Sequence, residues 1–299
     1  MKIILFGGSG FIGKNVMKKF PKNSIVPISL RAEEWKNNLP SDTEVFINLI
    51  GKAHDHKGVA RYEDYYEANV ELTKQIFNEF FKSKATLLIH ISSIAALEEF
   101  ASLHPLNEED LNNPISHYGK TKREAELWLL RQKLPQEKKI IILRPPLVHG
   151  EGDKGNLELL YKFISKGIPY PLSAFQNSRS FLSIDNFIFF LKEIINNQDK
   201  LDSGIYHIAD DEVLSTKEIL EIIKRVENKK IIDLYIPPIV IKVLAKIGDF
   251  SPFPLNTKRL KKMTSNLEVS NQKIKSVLDI KKLPISAEKG IEITIKSFK

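Results

Sequence analysis

The sequence predicts an α/β fold, a doubly wound parallel sheet with a smaller C-terminal lobe, and three features predict it. Short apolar runs alternate with longer amphipathic stretches through the first half of the chain. Those runs lack the polar alternation of a sheet wetted on one side, so they read as strands buried on both faces. A glycine-rich turn follows directly on the first run.

Taken in order, Lys2 to Phe6, Ile25 to Ile28, Val45 to Leu49, Leu87 to Ile91 and Ile140 to Leu143 are the predicted strands. The segments Gly10 to Phe20, Tyr62 to Lys82 and Tyr118 to Gln132 lie between them with helical spacing of their apolar residues. After Arg144, the residues Pro145, Pro146, Gly150, Gly152 and Gly155 crowd together and mark a loop into a second region. Residues 1–150 are expected to form the dinucleotide-binding part and 151–299 mainly a substrate-binding lobe, with segments near 181–210 returning to the first. Phe181 to Ile184 followed by Asp185 to Asn196 reads as strand, cap and helix, with Asp185 as the capping residue. Ile205 to Ala209 reads as a strand, and Thr216 to Val226 as a helix capped by Ser215. The lysine-rich C-terminal third reads as a small helical lobe.

Composition narrows the function classes. With 299 residues and 42% apolar side chains the chain can bury a substantial core. Cysteine is absent, which removes disulfides, thiolate metal sites and cysteine nucleophiles, and no metal site is predicted. The expected location is cytoplasmic, because the first apolar run is only Ile3 to Phe6 and does not resemble an export signal. The stretches Ile231 to Leu244 and Phe187 to Ile195 are interrupted by charges and fall short of the ~20 residues that span a bilayer, so no membrane insertion is expected. A net charge of +8 is spread along the chain among glutamates, which favours an anionic small substrate over nucleic acid or an anionic membrane.

Gly7, Gly10 and Gly13, with Phe11 and Ile12 between the last two, open a helix immediately after a strand. Glycines at this spacing close the turn, let backbone approach a pyrophosphate and let helix pack on strand, while the helix N-terminus offers free N–H groups to the anion. This is a Rossmann-like dinucleotide signature. An acidic residue is expected about 20 residues on if the cofactor is NAD. The second strand instead runs into Ser29, Leu30 and Arg31, and Arg31 can face a 2′-phosphate. NADPH is therefore favoured over NAD, with Glu33 and Glu34 as the carboxylates that would favour NAD.

Tyr118 and Lys122 stand four apart at the start of a helix and share one face, and no other tyrosine of the eight has lysine four positions on. A neighbouring ammonium and a positive nicotinamide would favour the phenolate, giving a proton acceptor for a sugar hydroxyl. The strand Leu87 to Ile91 runs into Ser92 and Ser93, at the carboxyl edge where open α/β sheets place ligands. Ser93 can hydrogen-bond the reacting oxygen.

These residues resemble the NAD-dependent epimerase/dehydratase family, extended short-chain dehydrogenases/reductases that act on nucleotide sugars. The resemblance runs through Gly7 to Gly13, Asn48-Leu49-Ile50-Gly51, Ala68-Asn69-Val70, Ser92-Ser93, Tyr118 with Lys122, Arg144 to Gly150, and Arg179 to Asp185. It implies that Ser93, Tyr118 and Lys122 are catalytic, that Leu49, Gly51 and Asn69 lie at the cofactor, and that Asn156 and Arg179 hold the nucleotide diphosphate. The segment Asn48 to His54 and the pair Gly155-Asn156 look most like bacterial enzymes that reduce or epimerise UDP-linked N-acetylhexosamines for surface polysaccharides. The short span between Arg31 and Val45 resembles the 4-keto reductases more than the 4-epimerases.

The leading expectation is thus hydride transfer at C4 of a UDP-hexose or UDP-N-acetylhexosamine by a 4-keto reductase, with a UDP-sugar 4-epimerase as the alternative. A 4,6-dehydratase is disfavoured, because Ile94 and Ala95 stand where those relatives carry Asp-Glu. A non-catalytic dinucleotide-binding module is the reading from another class, and the intact Ser93, Tyr118 and Lys122 argue against it. Relatives often dimerise through two helices, so a homodimer is an open expectation.

Overall fold

The computed structural model describes residues 1–53, 59–167, 176–228, 236–250 and 256–299. His54, within the segment singled out above, lies outside the described residues, as do parts of the Glu151 to Asn177 and Ile231 to Leu244 stretches.

Six parallel strands form the main sheet: β1 (Ile3–Phe6), β2 (Ile25–Ile28), β3 (Val45–Asn48), β4 (Leu87–Ile91), β5 (Lys139–Arg144) and β8 (Gly204–His207), in the order β2-β1-β3-β4-β5-β8. The chain runs outward from β1 to β2, then returns across β1 to β3 and winds the other way. Register carries Ile28, Phe6, Asn48 and His90 across neighbouring strands in one row, so the loops beyond them share one carboxyl edge. Such a reversal opens a crevice at that edge between β1 and β3.

Strand residues alternate between two cores. Ile3, Leu5, Val45, Ile47, Leu87 and Ile89 face α1 (Phe11–Lys19) and α6 (Ile184–Asn196), packing on Val16, Phe187, Phe190, Leu191 and Ile194. Ile4, Phe6, Phe46, Leu88, Ile140 and Ile142 face the other side, against Ile76, Phe77 and Phe80 of α3 (Leu72–Lys82) and Leu129 of α4 (His117–Leu130). Burial on both faces is the reason these strands show no polar alternation in sequence.

Tyr62 to Lys82 forms one helical column, as expected, with an unexpected interior. Between α2 (Tyr62–Tyr66) and α3, residues Glu67–Glu71 take a π-helical turn. That turn carries the fully buried Asn69, and π-turns recur at functional sites.

Past β5 the chain forms a two-stranded parallel sheet of β6 (Leu147–His149) and β7 (Phe181–Ser183), with α5 (Asn156–Ser165) between them. The remaining helices are α7 (Thr216–Glu227), α8 (Pro238–Gly248), α9 (Thr257–Thr264), α10 (Gln272–Val277) and α11 (Ala287–Lys296). A second core of Leu157, Tyr161, Ile219, Ile223, Ile241, Ala245, Leu260, Ile291 and Ile295 binds α5, α7, α8, α9 and α11 into the smaller lobe. Ser215 caps α7, with Glu218 completing a reciprocal capping box. The cap of α6 is Ser183 rather than Asp185: the Ser183 hydroxyl accepts from the Asn186 N–H at 3.2 Å. Asp185 sits one residue inside the helix, where its charge suits the positive end, and it pairs with Lys19. Among the described residues no helix is long and apolar enough to cross a membrane.

Candidate active site

The glycine turn is packed as tightly as the motif demands. Gly7 has φ +84°, open to glycine at little cost, and an added β-carbon there would fall 3.1 Å from the Leu49 carbonyl carbon. A β-carbon on Gly13 would lie 2.3 Å from the Gly7 oxygen, so α1 presses directly onto the turn. Gly10 caps α1 without a side chain, and no side-chain oxygen occupies the helix N-terminus. The result is a backbone cradle that fits a pyrophosphate. Phe11 and Ile12 are half-buried at the mouth of α1, and Leu49 meets Gly7 across the crevice.

Beyond β3, Asn48 turns the chain by accepting from the Ile50 N–H at 2.9 Å. Asn69 reaches across from the π-turn: its carbonyl oxygen accepts from the Lys52 N–H at 2.8 Å, and its amide donates to the Thr121 hydroxyl at 2.9 Å. Asn69 thereby ties the Gly51–Lys52 loop to α4. Gly51 leaves room for both partners, since a β-carbon there would meet Lys122 Nζ at 2.8 Å and Asn69 Oδ1 at 3.1 Å.

Ser93, Tyr118 and Lys122 come together beside this loop. Ser93 follows β4, and its hydroxyl accepts from the Ala95 N–H at 3.2 Å. Tyr118 stands in the first turn of α4, which Ser116 caps through the Gly119 N–H at 3.0 Å. Burial pushes the Tyr118 phenol upward, a hydrogen bond with Ser93 works against that, and Glu99 and Glu126 add to the rise. Lys122 is buried and donates to the Ile91 carbonyl at 2.8 Å and the Ile50 carbonyl at 3.4 Å. Desolvation lowers its ammonium to about 8, against the pull of Glu126. Of the groups that shift the Tyr118 phenol here, Ser93 is the one that favours the phenolate, while the Lys122 ammonium donates to the carbonyls of Ile91, at the end of β4, and Ile50, in the loop after β3.

The other predicted residues are placed as follows. Arg31 lies exposed beyond β2, its backbone N–H on the Ser29 hydroxyl at 3.4 Å, and Glu33 and Glu34 are exposed beside it. Asn156 opens α5, and its side chain lies outside the described residues. Arg179 is in the lobe, its backbone paired with Leu214 and Leu267, and Nη1 donates to the Ser265 carbonyl at 3.1 Å.

Sequence reasoning missed the ion pair beneath the site. Glu126 and Arg144 are both fully buried, with Arg144 Nε on Glu126 Oε1 at 2.8 Å and Nη2 on Oε2 at 2.6 Å. The Ser92 hydroxyl also donates to Glu126, at 2.5 Å. One strand-end serine is therefore tied to the ion pair while its neighbour, Ser93, meets Tyr118. The spacing of Lys122 and Glu126, four apart on one helix face, was the available signal.

Fold and site together define a nicotinamide-dependent enzyme of the extended short-chain dehydrogenase/reductase class. The chain belongs to the NAD dependent epimerase/dehydratase family, which matches residues 3–209. It is similar to a UDP-glucose 4-epimerase of Vibrio cholerae, 27% identical across 99% of this chain and 95% of that protein. It is also similar to an N-acetyl-alpha-D-glucosaminyl-diphospho-ditrans,octacis-undecaprenol 4-epimerase of Escherichia coli O157:H7, 24% identical across 98% and 94% of the two chains. Among solved structures, a UDP-glucuronic acid 4-epimerase of Bacillus cereus in complex with NAD shares the fold, with TM-score 0.74 and 18% identity over 100% of this chain and 98% of that one.

Proposed function

We propose that this chain is a 4-epimerase that inverts C4 of a diphosphate-linked hexose or N-acetylhexosamine, supplying a precursor of surface polysaccharide. The observation that carries the reading is the convergence of Ser93, just past β4, with Tyr118 in the first turn of α4, near enough for the serine to favour the ionised phenol. It gives a hydroxyl to orient the C4 oxygen and a phenol to exchange its proton. The near full-length relatives that carry 4-epimerase names support inversion as the outcome.

In this reading the Tyr118 phenolate takes the C4 hydroxyl proton as the C4–H bond breaks. A nicotinamide dinucleotide held at the Gly7–Gly13 turn would supply the hydride acceptor and donor that inversion at C4 requires. Tyr118 then gives the proton back to the C4 oxygen. Ser93 holds that oxygen in both halves, and Lys122 fixes the ends of β3 and β4 through Ile50 and Ile91. Gly7, Gly10, Phe11, Ile12, Gly13, Leu49, Gly51 and Asn69 are the proposed cofactor contacts and supports, and Asn156 and Arg179 are proposed to meet the diphosphate.

A second reading, 4-keto reduction with NADPH, draws on Arg31: a cation rather than a carboxylate follows β2, the arrangement that suits a 2′-phosphate. Incubation with a panel of UDP-sugars and their 4-keto derivatives separates the two readings. Interconversion of UDP-sugars followed by NMR, with no net change in cofactor absorbance, is the expected result. Stoichiometric loss of NADPH absorbance with a 4-keto sugar would establish the reductase instead. We also propose a homodimer formed across α3 and α4, where Phe81 and Leu130 are exposed.

A further inference from the structure

We infer that the outer face of α8 docks this protein on the surface of an anionic phospholipid bilayer. The inference goes beyond the proposed C4 chemistry and does not depend on it.

The helix Pro238–Gly248 contributes only a narrow stripe to the lobe: Ile241, Ala245 and Gly248 are buried, at helical spacing, against the core that includes Leu157, Tyr161 and Leu260. Every other residue from Ile239 to Ile247 is exposed. Five of them are large and apolar. Ile239, Val243 and Ile247 form one row at four-residue spacing, and Val240 and Leu244 form the next. Ile239 is 67% exposed, Ile247 59% and Phe250, just past the helix, 93%. Scattered exposed apolar residues need no explanation, but five gathered on one helix, with Phe250 just beyond its end, mark an interaction surface.

The charges around this face select its occupant. Lys242 and Lys246 flank the apolar rows on one side, both exposed. α8 packs against α9, whose sequence holds Lys258, Arg259, Lys261 and Lys262. Neither helix contains an acidic residue. Asp249, which follows α8, is engaged at the start of α9, accepting from the Thr257 N–H at 2.9 Å and the Thr257 hydroxyl at 2.6 Å. An apolar face bordered by Lys242 and Lys246, on a helix too short to span, is the pattern of a helix that lies in the plane of an anionic interface. A second copy of the chain pairing through the same face would bring the two cationic borders together, which disfavours it. The sequence shows lysines scattered along its length; helical geometry sets Lys242 and Lys246 beside the exposed apolar rows.

The face belongs to the lobe that carries Arg179 and the start of α5.

The test is flotation of the full chain with vesicles of phosphatidylcholine alone and of phosphatidylcholine with phosphatidylglycerol. The protein should float with the phosphatidylglycerol vesicles and lose part of that binding in high salt. Val243→Glu with Ile247→Glu should reduce the bound fraction about tenfold while leaving the melting temperature and UDP-sugar turnover unchanged. Lys242→Gln with Lys246→Gln should weaken binding to phosphatidylglycerol vesicles and leave any binding to phosphatidylcholine unaltered, which keeps the proposal testable if the double glutamate variant fails to fold. Failure of the unaltered chain to float, or flotation of both double variants at its level, would overturn the inference. So would sedimentation showing a dimer that the glutamate pair dissociates in a protein that never binds vesicles.

Discussion

Gly119 lies so close to Ala95 that a β-carbon on it would sit 2.3 Å from the Ala95 carbonyl oxygen. This contact presses the first turn of α4 onto the turn that follows Ser93, and it is what lets Tyr118 meet the serine. Gly119→Ala would gain about 1 kcal/mol of helix propensity but meet overpacking of about 1–3 kcal/mol, so α4 must shift outward. Turnover is expected to fall about 100-fold through the displaced phenol, with a change in melting temperature of only a few degrees. Steady-state kinetics beside thermal unfolding checks both; unchanged turnover would mean the contact does not position Tyr118.

Tyr118→Phe removes the hydroxyl and keeps the ring. Activity should drop by a factor of about 100 to 10,000, while dinucleotide binding followed by fluorescence titration stays near its original level. Activity surviving undiminished would assign the proton to another group.

Glu126→Gln strips the charge from the buried pair and leaves Arg144 uncompensated, with its Nη1 already lacking a hydrogen-bond partner among the described residues. The expected loss is about 3–5 kcal/mol in urea unfolding, whereas the double variant Glu126→Gln with Arg144→Met should lose less than the sum of the single changes. Strict additivity in that cycle would show the pair to be energetically independent.

Stability should fall in mild acid. His90, His149 and His207 are fully buried and held neutral by desolvation, His149 and His207 at about 3 and His90 well below its ordinary value. Their unfolded pKa is near 6.5, so between about 6.5 and 3 the unfolded chain binds more protons and each imidazole removes about 1.4 kcal/mol per pH unit as pH falls. Asp210 opposes one of them: burial raises it to about 7, and its contribution grows as pH drops from there toward its unfolded value. The net effect is a lower urea midpoint at pH 5.5 than at pH 7.5, and His207→Asn should flatten that slope. Equal midpoints would contradict the buried, neutral state of these rings.

Arg31→Asp places a carboxylate where the ribose hydroxyls of NAD are read. The ratio of NADPH to NADH affinity is expected to move toward NADH by about tenfold or more, measured by titration of each reduced cofactor. An unaltered ratio would remove Arg31 from the cofactor contacts.

The sequence by itself determined the sheet, the glycine turn and the placing of Tyr118 and Lys122 four apart on one helix, because each rests on local periodicity or on spacing within one element. Runs such as Ile3 to Phe6 and Leu87 to Ile91 can be buried on both faces only in a covered parallel sheet, and Gly7, Gly10 and Gly13 announce a close backbone approach wherever they occur. Asp185 shows the limit of that reading: serine and aspartate both cap helices, and only the backbone geometry around Ser183 selects between them. The tertiary structure alone decided which partners meet across distant segments. It sent the Lys122 ammonium to the carbonyls of Ile50 and Ile91, joined Glu126 to Arg144 and Ser92, and left five large apolar residues of α8 facing outward beside lysines. Those outcomes depend on how elements far apart in sequence pack, and residue spacing carries no record of that.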